Sequence, residues 1–201
     1  MFNIETFKEK KFTPLGKQKK KTQIVLSNTF RPVHCYLSKL KFRFNGKYTK
    51  IPNFIVTREG KIIQILRSIE HSNYLPNVNL NRNSVIVVLE NLGWLEKEPL
   101  TNNYINWIGD IYNGPVYEKK WRDYFFWHPY TSSQIEQTSN LCKMICNEVS
   151  IKKDFIGHNT KINGIEKFEG IVSKSNYDSD STDLSPSFEF ENFIKKIHNE
   201  Q

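Results

Sequence analysis

Five consecutive aliphatic residues, Val85 to Leu89, lie within the segment Asn83 to Glu90 (NSVIVVLE). A strand with one wet face alternates apolar and polar residues. This one does not, so it predicts a strand covered on both faces, in a sheet with layers packed above and below it. The rest of the chain has to supply that strand's neighbours and its cover. Thr22 to Leu26 (TQIVL) reads as a second buried strand, bounded by Ser27-Asn28 and then Arg31-Pro32, hence a central strand that ends at a polar site. Asn53 to Thr57 and Lys61 to Leu66, joined by Arg58-Glu59-Gly60, read as a hairpin. Between these strands, the asparagine-rich stretch Ser72 to Arg82 with Pro76 has the composition of a loop.

Helical cover is expected later in the chain. Thr131-Ser132-Ser133-Gln134 has the form of a capping box, and Ile135, Leu141, Cys142, Ile145 and Val149 follow near helical spacing, which predicts a helix over about 132–148. Phe190, Phe193, Ile194 and Ile197 mark a short final amphipathic helix that packs back on the core. The Ser- and Asp-rich residues 173–187, closing with Pro186, read as a long surface loop. No internal repeat is visible. The expected fold class is α/β, a single domain with a mixed central β-sheet flanked by helices.

A chain of 201 residues with 38% hydrophobic content is large enough to bury such a core without disulfide or metal staples. The longest aliphatic run is far short of the ~20 residues that span a bilayer, and the N-terminus lacks the layout of a signal peptide, so a soluble protein without membrane contact is expected. Cys35, Cys142 and Cys146 are too few for a disulfide framework and read as reduced thiols. Charge is uneven: residues 1–50 carry a local +11 against −3 for the remainder. Lys8 to Lys21 holds seven lysines around Pro14 and Gly16. Residues 1–21 are therefore expected as a basic N-terminal arm on a domain of residues 22–201, either a solvated leader or a segment that meets phosphate or an acidic surface. Nucleic-acid binding through that arm explains the charge but not the rest of the chain, so nucleic acid is not the expected partner.

Taken by themselves, the histidines at 34, 71, 128, 158 and 198 show no metal-ligand spacing. Cys142 and Cys146 share a helix face, where core packing is favoured over a soft metal. Glu90, at the end of a buried strand, is a candidate general base if partly desolvated; a satisfied or exposed strand-end glutamate is the plainer reading. Trp121 to Tyr130 (WRDYFFWHPY) packs six aromatic rings and His128 into ten residues, suited to stacking on a ligand or, more ordinarily, to covering a sheet edge. There is no glycine-rich phosphate loop, Gly-x-Ser-x-Gly elbow or zinc-finger spacing.

Five segments in order, IVLSNTF (24–30), NFIVTREGKIIQIL (53–66), NSVIVVLENLGWL (83–95), GPVYEKKWRDYFFWHPYTSSQI (114–135) and GIVSKSNYDSDSTDLSPSF (170–188), resemble the type 2 family of zinc-dependent N-acetylmuramoyl-L-alanine amidases. That family includes phage amidase-lysozymes and peptidoglycan-recognition proteins. The resemblance implies a mixed sheet flanked by helices. It also implies a zinc held by two histidines and an Asp or Cys, with a water in the fourth position that attacks the lactyl-amide bond.

Against that pattern, Ser27-Asn28-Thr29 stands where the family's first strand ends in His-His-Thr. The Asp before a Pro-containing turn and a Phe is present, as Asp183 in Asp183-Leu184-Ser185-Pro186-Ser187-Phe188. The second histidine position falls on Lys174, in Ser173-Lys174-Ser175-Asn176. The family's strand acid falls on Val88, and the Lys two before the Asp falls on Ser181. The former metal-site positions are thus Ser27, Asn28, Lys174 and Asp183, with Lys174 expected to fill the hole as an ion pair if its charge sits beside Asp183. His71, Trp94 and Ser181 are the groove candidates. The resemblance implies a degenerate amidase that needs no cofactor and serves as a peptidoglycan-binding or structural module. By analogy it would be made in a host cytoplasm and built into a phage virion, with tail or baseplate proteins or peptidoglycan fragments as partners. The alternative is an active zinc amidase with an unusual site drawn from His158 and Asp183, with His34 or His71 as a further ligand candidate, and with Glu90 or His158 in the chemistry.

Overall fold

The computed structural model describes residues 4–7, 12–42 and 49–199. The chain opens with two short strands, β1 (Ile4–Thr6) and β2 (Gly16–Lys17), followed by β3 (Gln23–Asn28) and helix α1 (Val33–Phe42). A hairpin of β4 (Phe54–Val56) and β5 (Ile62–Gln64) leads through β6 (Glu70–His71) and a short helix α2 (Val78–Asn83) into β7 (Ser84–Leu89). Next come β8 (Trp94–Lys97), β9 (Tyr104–Asn106), β10 (Ile111–Tyr112), β11 (Tyr117–Trp121) and β12 (Tyr124–Trp127). The long helix α3 (Ser132–Val149), then β13 (Gly170–Ser173) and α4 (Phe190–His198) complete the order.

The central sheet has the order β1-β5-β4-β7-β3-β13, mixed because β4 and β5 pair antiparallel while the other neighbours are parallel. Every residue of β3 and β7 is buried, as their unbroken aliphatic pattern requires. Alternate side chains feed two cores. Ile24, Leu26, Val85, Val87 and Leu89 meet α3 and α4, whereas Val25, Ile86, Val88 and Val172 meet α1 and the loops beside it. Cys142 and Cys146 are packed in the first core, and burial pushes both thiols up, Cys146 to about 11. Among the described residues no helix is long and apolar enough to cross a membrane.

The hairpin turns at Gly60, whose φ of 84° a side chain would disfavour. At the start of α3, Thr131 Oγ1 accepts from Gln134 N–H at 3.1 Å, but Gln134 does not complete a local box. Its Nε2 donates instead to the carbonyls of Val56 and Glu90, tying the helix to the ends of β4 and β7.

Three expectations change. The stretch read as loop from Ser72 to Arg82 contains α2, begun by Asn77, whose Oδ1 accepts from Asn79 and Leu80 N–H. Residues 173–187 are not a surface loop: Ser173, Ser175, Asn176 and the run Ser181 to Ser185 are buried. Their polar groups bond one another, as in Ser175 N–H to Asp183 O at 3.0 Å and Ser175 Oγ to Ser181 O at 2.9 Å. Finally, parts of the lysine-rich N-terminal segment join the fold. β1 extends the central sheet beside β5, β2 pairs with β6, and Phe12 is buried; Lys8, Lys10 and Lys11 lie outside the described residues. Lys21 is buried too, its Nζ donating to the carbonyls of Arg82, Ser84 and Glu70, and desolvation lowers it to about 8.

The aromatic segment ends in a second, antiparallel sheet of order β10-β9-β8-β12-β11. His128 locks it to the central sheet. Its Nδ1 accepts from Arg58 Nη1 at 3.1 Å and Leu92 N–H at 3.3 Å, while its carbonyl accepts from Asn91 and Ser187. Burial, and then the charge of Arg58, push its imidazole down to about 3. The unfolded chain therefore takes up a proton that the native state refuses over the window from about pH 6.5 down to 3, so stability falls as pH drops through it. His128→Asn, whose Oδ1 replaces the Nδ1 acceptor, should show a shallower fall in urea midpoint between pH 7 and pH 4.5 than the parent chain.

Candidate functional site

β3 and β13 are parallel neighbours, with Ser173 opposite Leu26, so their carboxyl ends open at the same edge of the sheet. Ser27 and Asn28 finish β3, and Lys174 follows β13 directly. The chain then returns to place Asp183 between them, fully buried. Ser27 Oγ donates to Asp183 Oδ1 at 3.1 Å, and the Asn28 N–H donates to the same oxygen at 2.5 Å. Ser181 Oγ donates to Oδ2 at 2.6 Å, and Lys174 Nζ lies 3.5 Å from that oxygen. Four positions singled out in the sequence, with Ser181, thus meet at one carboxylate.

A further residue completes the cluster. Tyr130 Oη donates to Asn28 Oδ1 at 2.8 Å and accepts from Ser185 N–H at 3.4 Å; burial raises its phenol well above the ordinary value, so it stays protonated. Tyr130 closes the aromatic run, but nothing local in the sequence pairs it with Asn28. Ser27 Oγ also shares a hydrogen bond with Tyr74 Oη at 3.0 Å.

Above this cluster lies a cleft of about 670 Å³, lined among others by Arg31, Tyr36, Tyr74, Trp94, Trp107 and Lys174. Trp94 lies among them, its ring stacked on Tyr124 at 4.5 Å. Phe30 forms part of the wall by close approach to Gly93; a Cβ at Gly93 would stand 2.6 Å from the Phe30 ring, and φ there is +81°. Trp107 Nε1 donates to Phe30 O at 2.5 Å, and the Arg31 guanidinium lies 4.9 Å from the Trp107 ring centre.

Other candidates fall elsewhere. Ser181 sits beneath the cleft as a support for Asp183 and does not line it. His71 is covered by β2, where a Cβ on Gly16 would meet its ring at 2.8 Å, and it does not line the cleft. Desolvation, then Lys21 and Arg82, lower its pKa. His34 is exposed on α1. Both carboxylate oxygens of Glu90 are engaged by backbone donors. Its Oε1 accepts from Val33 N–H at 2.7 Å and its Oε2 from Arg58 N–H at 3.1 Å, so it caps α1 and holds the hairpin. His158 is exposed, its Nδ1 accepting from Thr160 N–H at 3.2 Å, and none of the four donors to Asp183 is His158.

The donors at the ends of β3 and β13 do not fit zinc. A hydroxyl, an amide and an ammonium stand beside one carboxylate, and both oxygens of that carboxylate are already engaged. Among the described residues no group of three or more His, Cys, Asp or Glu side chains is placed to hold a metal ion.

The family model described as N-acetylmuramoyl-L-alanine amidase matches residues 21–170, a stretch that includes Ser27 and Asn28 and stops short of Lys174 and Asp183. No curated protein sequence matches the chain. Among solved structures, it is similar to the N-acetylmuramoyl-L-alanine amidase LysC from Clostridium intestinale URNW, with a TM-score of 0.56, 12% identity and full coverage of both chains. It is also similar to the N-acetylmuramyl-L-alanine amidase AmiD from E. coli, solved with the substrate anhydro-N-acetylmuramic acid-L-Ala-D-γ-Glu-L-Lys. There the TM-score is 0.54 at 15% identity, over 92% of this chain and 60% of that one. A third is the Staphylococcus aureus hydrolase AmiA, solved with its ligand, with a TM-score of 0.51, 11% identity and coverage of 85% and 64%. At these identities the likeness is one of fold: a mixed α/β domain with a central sheet between helices.

Removing the cation should leave Asp183 buried and undercompensated. Lys174→Met is expected to cost about 2 kcal/mol in urea unfolding, less than for a fully buried pair because the lysine is partly exposed. In Lys174→Met/Asp183→Asn the combined loss should be smaller than the sum of the single losses, the signature of direct coupling.

Proposed function

The chain belongs to the N-acetylmuramoyl-L-alanine amidase family, and from that premise we propose that it is a catalytically degenerate member, a peptidoglycan-binding or structural module rather than a hydrolase. The observation that carries this reading is the Lys174–Asp183 ion pair of 3.5 Å. An ammonium beside the one carboxylate of the cluster repels a divalent cation and offsets the negative charge that would attract a metal. In the family's chemistry zinc supplies the activated water, and losing it removes the main catalytic element. The residues that remain bind and brace: Ser27, Ser181 and the Asn28 amide hold a carboxylate, and Tyr130 stays protonated.

The wider setting belongs to the same proposal. A chain without alanine, with 23 lysines against 6 arginines and 21 asparagines, has the composition of an AT-rich genome. With an amidase-type fold, that suggests a phage protein assembled with tail or baseplate components, an argument by analogy.

Elemental analysis of the purified chain, paired with a muropeptide-cleavage assay in added zinc, tests the reading. Neither stoichiometric zinc nor turnover is expected. Stoichiometric zinc together with cleavage that disappears in His158→Ala overturns it, and makes the protein an active zinc amidase with a non-standard ligand set.

A further inference from the structure

We propose that the cleft over the ends of β3 and β13 is a seat for single-stranded nucleic acid, its phosphates held by Arg31, Lys39, Lys50 and Lys174 and an unpaired base set against Trp107 and Asn28. The site uses none of the family's hydrolytic chemistry. It gives a place in the fold to the excess positive charge of residues 1–50, which a solvated arm leaves unused.

Packing decides where part of that charge lies. Arg31 follows β3, Lys39 stands on α1 and Lys50 comes after it, and all three line the cleft together with Lys174. Asp178 is the acid among the lining residues, and with Asp183 counted beneath Lys174 the cations still exceed the acids by two. Lys39 and Lys50 are exposed, and the Lys174 side chain keeps 33% exposure beside Asp183. Cations gathered from separate stretches of chain around one concave surface match a run of phosphates better than a single anion.

Charge by itself would accept any polyanion; the wall and floor add the selection. Trp107 is 43% exposed, its Nε1 tied to Phe30 O and the Arg31 guanidinium 4.9 Å from its ring centre. The indole is thus held in one orientation, with a cation beside it for the phosphate next to a stacked base. Asn28 is 2% exposed and lines the cleft, yet its Nδ2 has no hydrogen-bond partner among the described residues. A buried donor left unpaired costs free energy, and the ring nitrogens and carbonyl oxygens on a base edge are acceptors that would satisfy it. A duplex keeps its base faces inside its own stack and offers none to Trp107, whereas an unpaired strand presents both face and edge.

The test titrates the full chain into a fluorescein-labelled oligothymidylate of about twelve nucleotides, within the span of sites of this kind, and reads fluorescence anisotropy. The single strand should bind at least roughly tenfold tighter than the same strand annealed to oligoadenylate. Its log affinity should fall with log salt at a slope of about −2 to −3, the value for three or four phosphate contacts. Trp107→Leu and Arg31→Met should each weaken binding roughly tenfold, and circular dichroism checks that they fold. Lys50→Met should make the salt slope shallower by about 0.7. Equal affinity for the duplex, no binding of the single strand, or unchanged affinity in folded Trp107→Leu overturns the proposal. So does displacement of the strand by poly-L-glutamate as readily as by unlabelled oligothymidylate, which would make the cleft a seat for an acidic polypeptide. Failure here leaves the non-catalytic reading standing, and zinc with cleavage would fell that reading without touching this one.

Discussion

A carboxylate taken wholly out of water is tolerated only when donors and a countercharge replace its hydration. Asp183 is such a group, and its compensation comes from three separate stretches of chain: Ser27 and the Asn28 amide on β3, Lys174 after β13, and Ser181 on its own segment. Holding the carboxylate therefore holds the carboxyl ends of two adjacent parallel strands against the segment that crosses them. The floor of the cleft is the upper side of that arrangement. Its walls inherit their positions from it, because Phe30 and Arg31 follow β3 directly and Asp178 follows Lys174 within a few residues.

The same economy recurs away from the cleft, where long-range polar side chains stand in for local caps. Glu90 supplies the carboxylate that α1 lacks at its own N-terminus. Gln134 joins α3 to two strand ends, and Asn53 donates to the carbonyls of Arg67 and Glu70 while accepting from Ile86 N–H. Each partner is far away in sequence, so the signal that would reveal the element is absent from its neighbourhood. That is why α1 is not legible in residues 33–42, and why Glu90, read as a strand-end acid, looks chemically available when both its oxygens are occupied.

Legibility follows the range of the determining interaction. The buried strands, the hairpin with Gly60, helix α3 and the final helix rest on periodicity and local turn chemistry, and they form as read. The segment 173–187 rests on hydrogen bonds among its own serines and on Asp183, so its polar composition misleads: it is buried because its polar groups satisfy one another. The family resemblance singled out Ser27, Asn28, Lys174 and Asp183 one by one, whereas Tyr130 enters the cluster only through its long-range hydrogen bond to Asn28, and Trp107 reaches the cleft only through the packing of the second sheet against the segment after β3.

By itself, then, the amino-acid sequence determined that a doubly covered mixed sheet must form, because uninterrupted aliphatic strands leave no face for water. It also carried the order of Ser27, Asn28, Lys174 and Asp183 along the chain. Tertiary structure alone decided that the ammonium of Lys174 lies against Asp183, that Glu90 is spent on capping a helix, and that His158 stays apart on the surface. These are outcomes of distance between residues remote in sequence, and only the packing of the layers sets those distances.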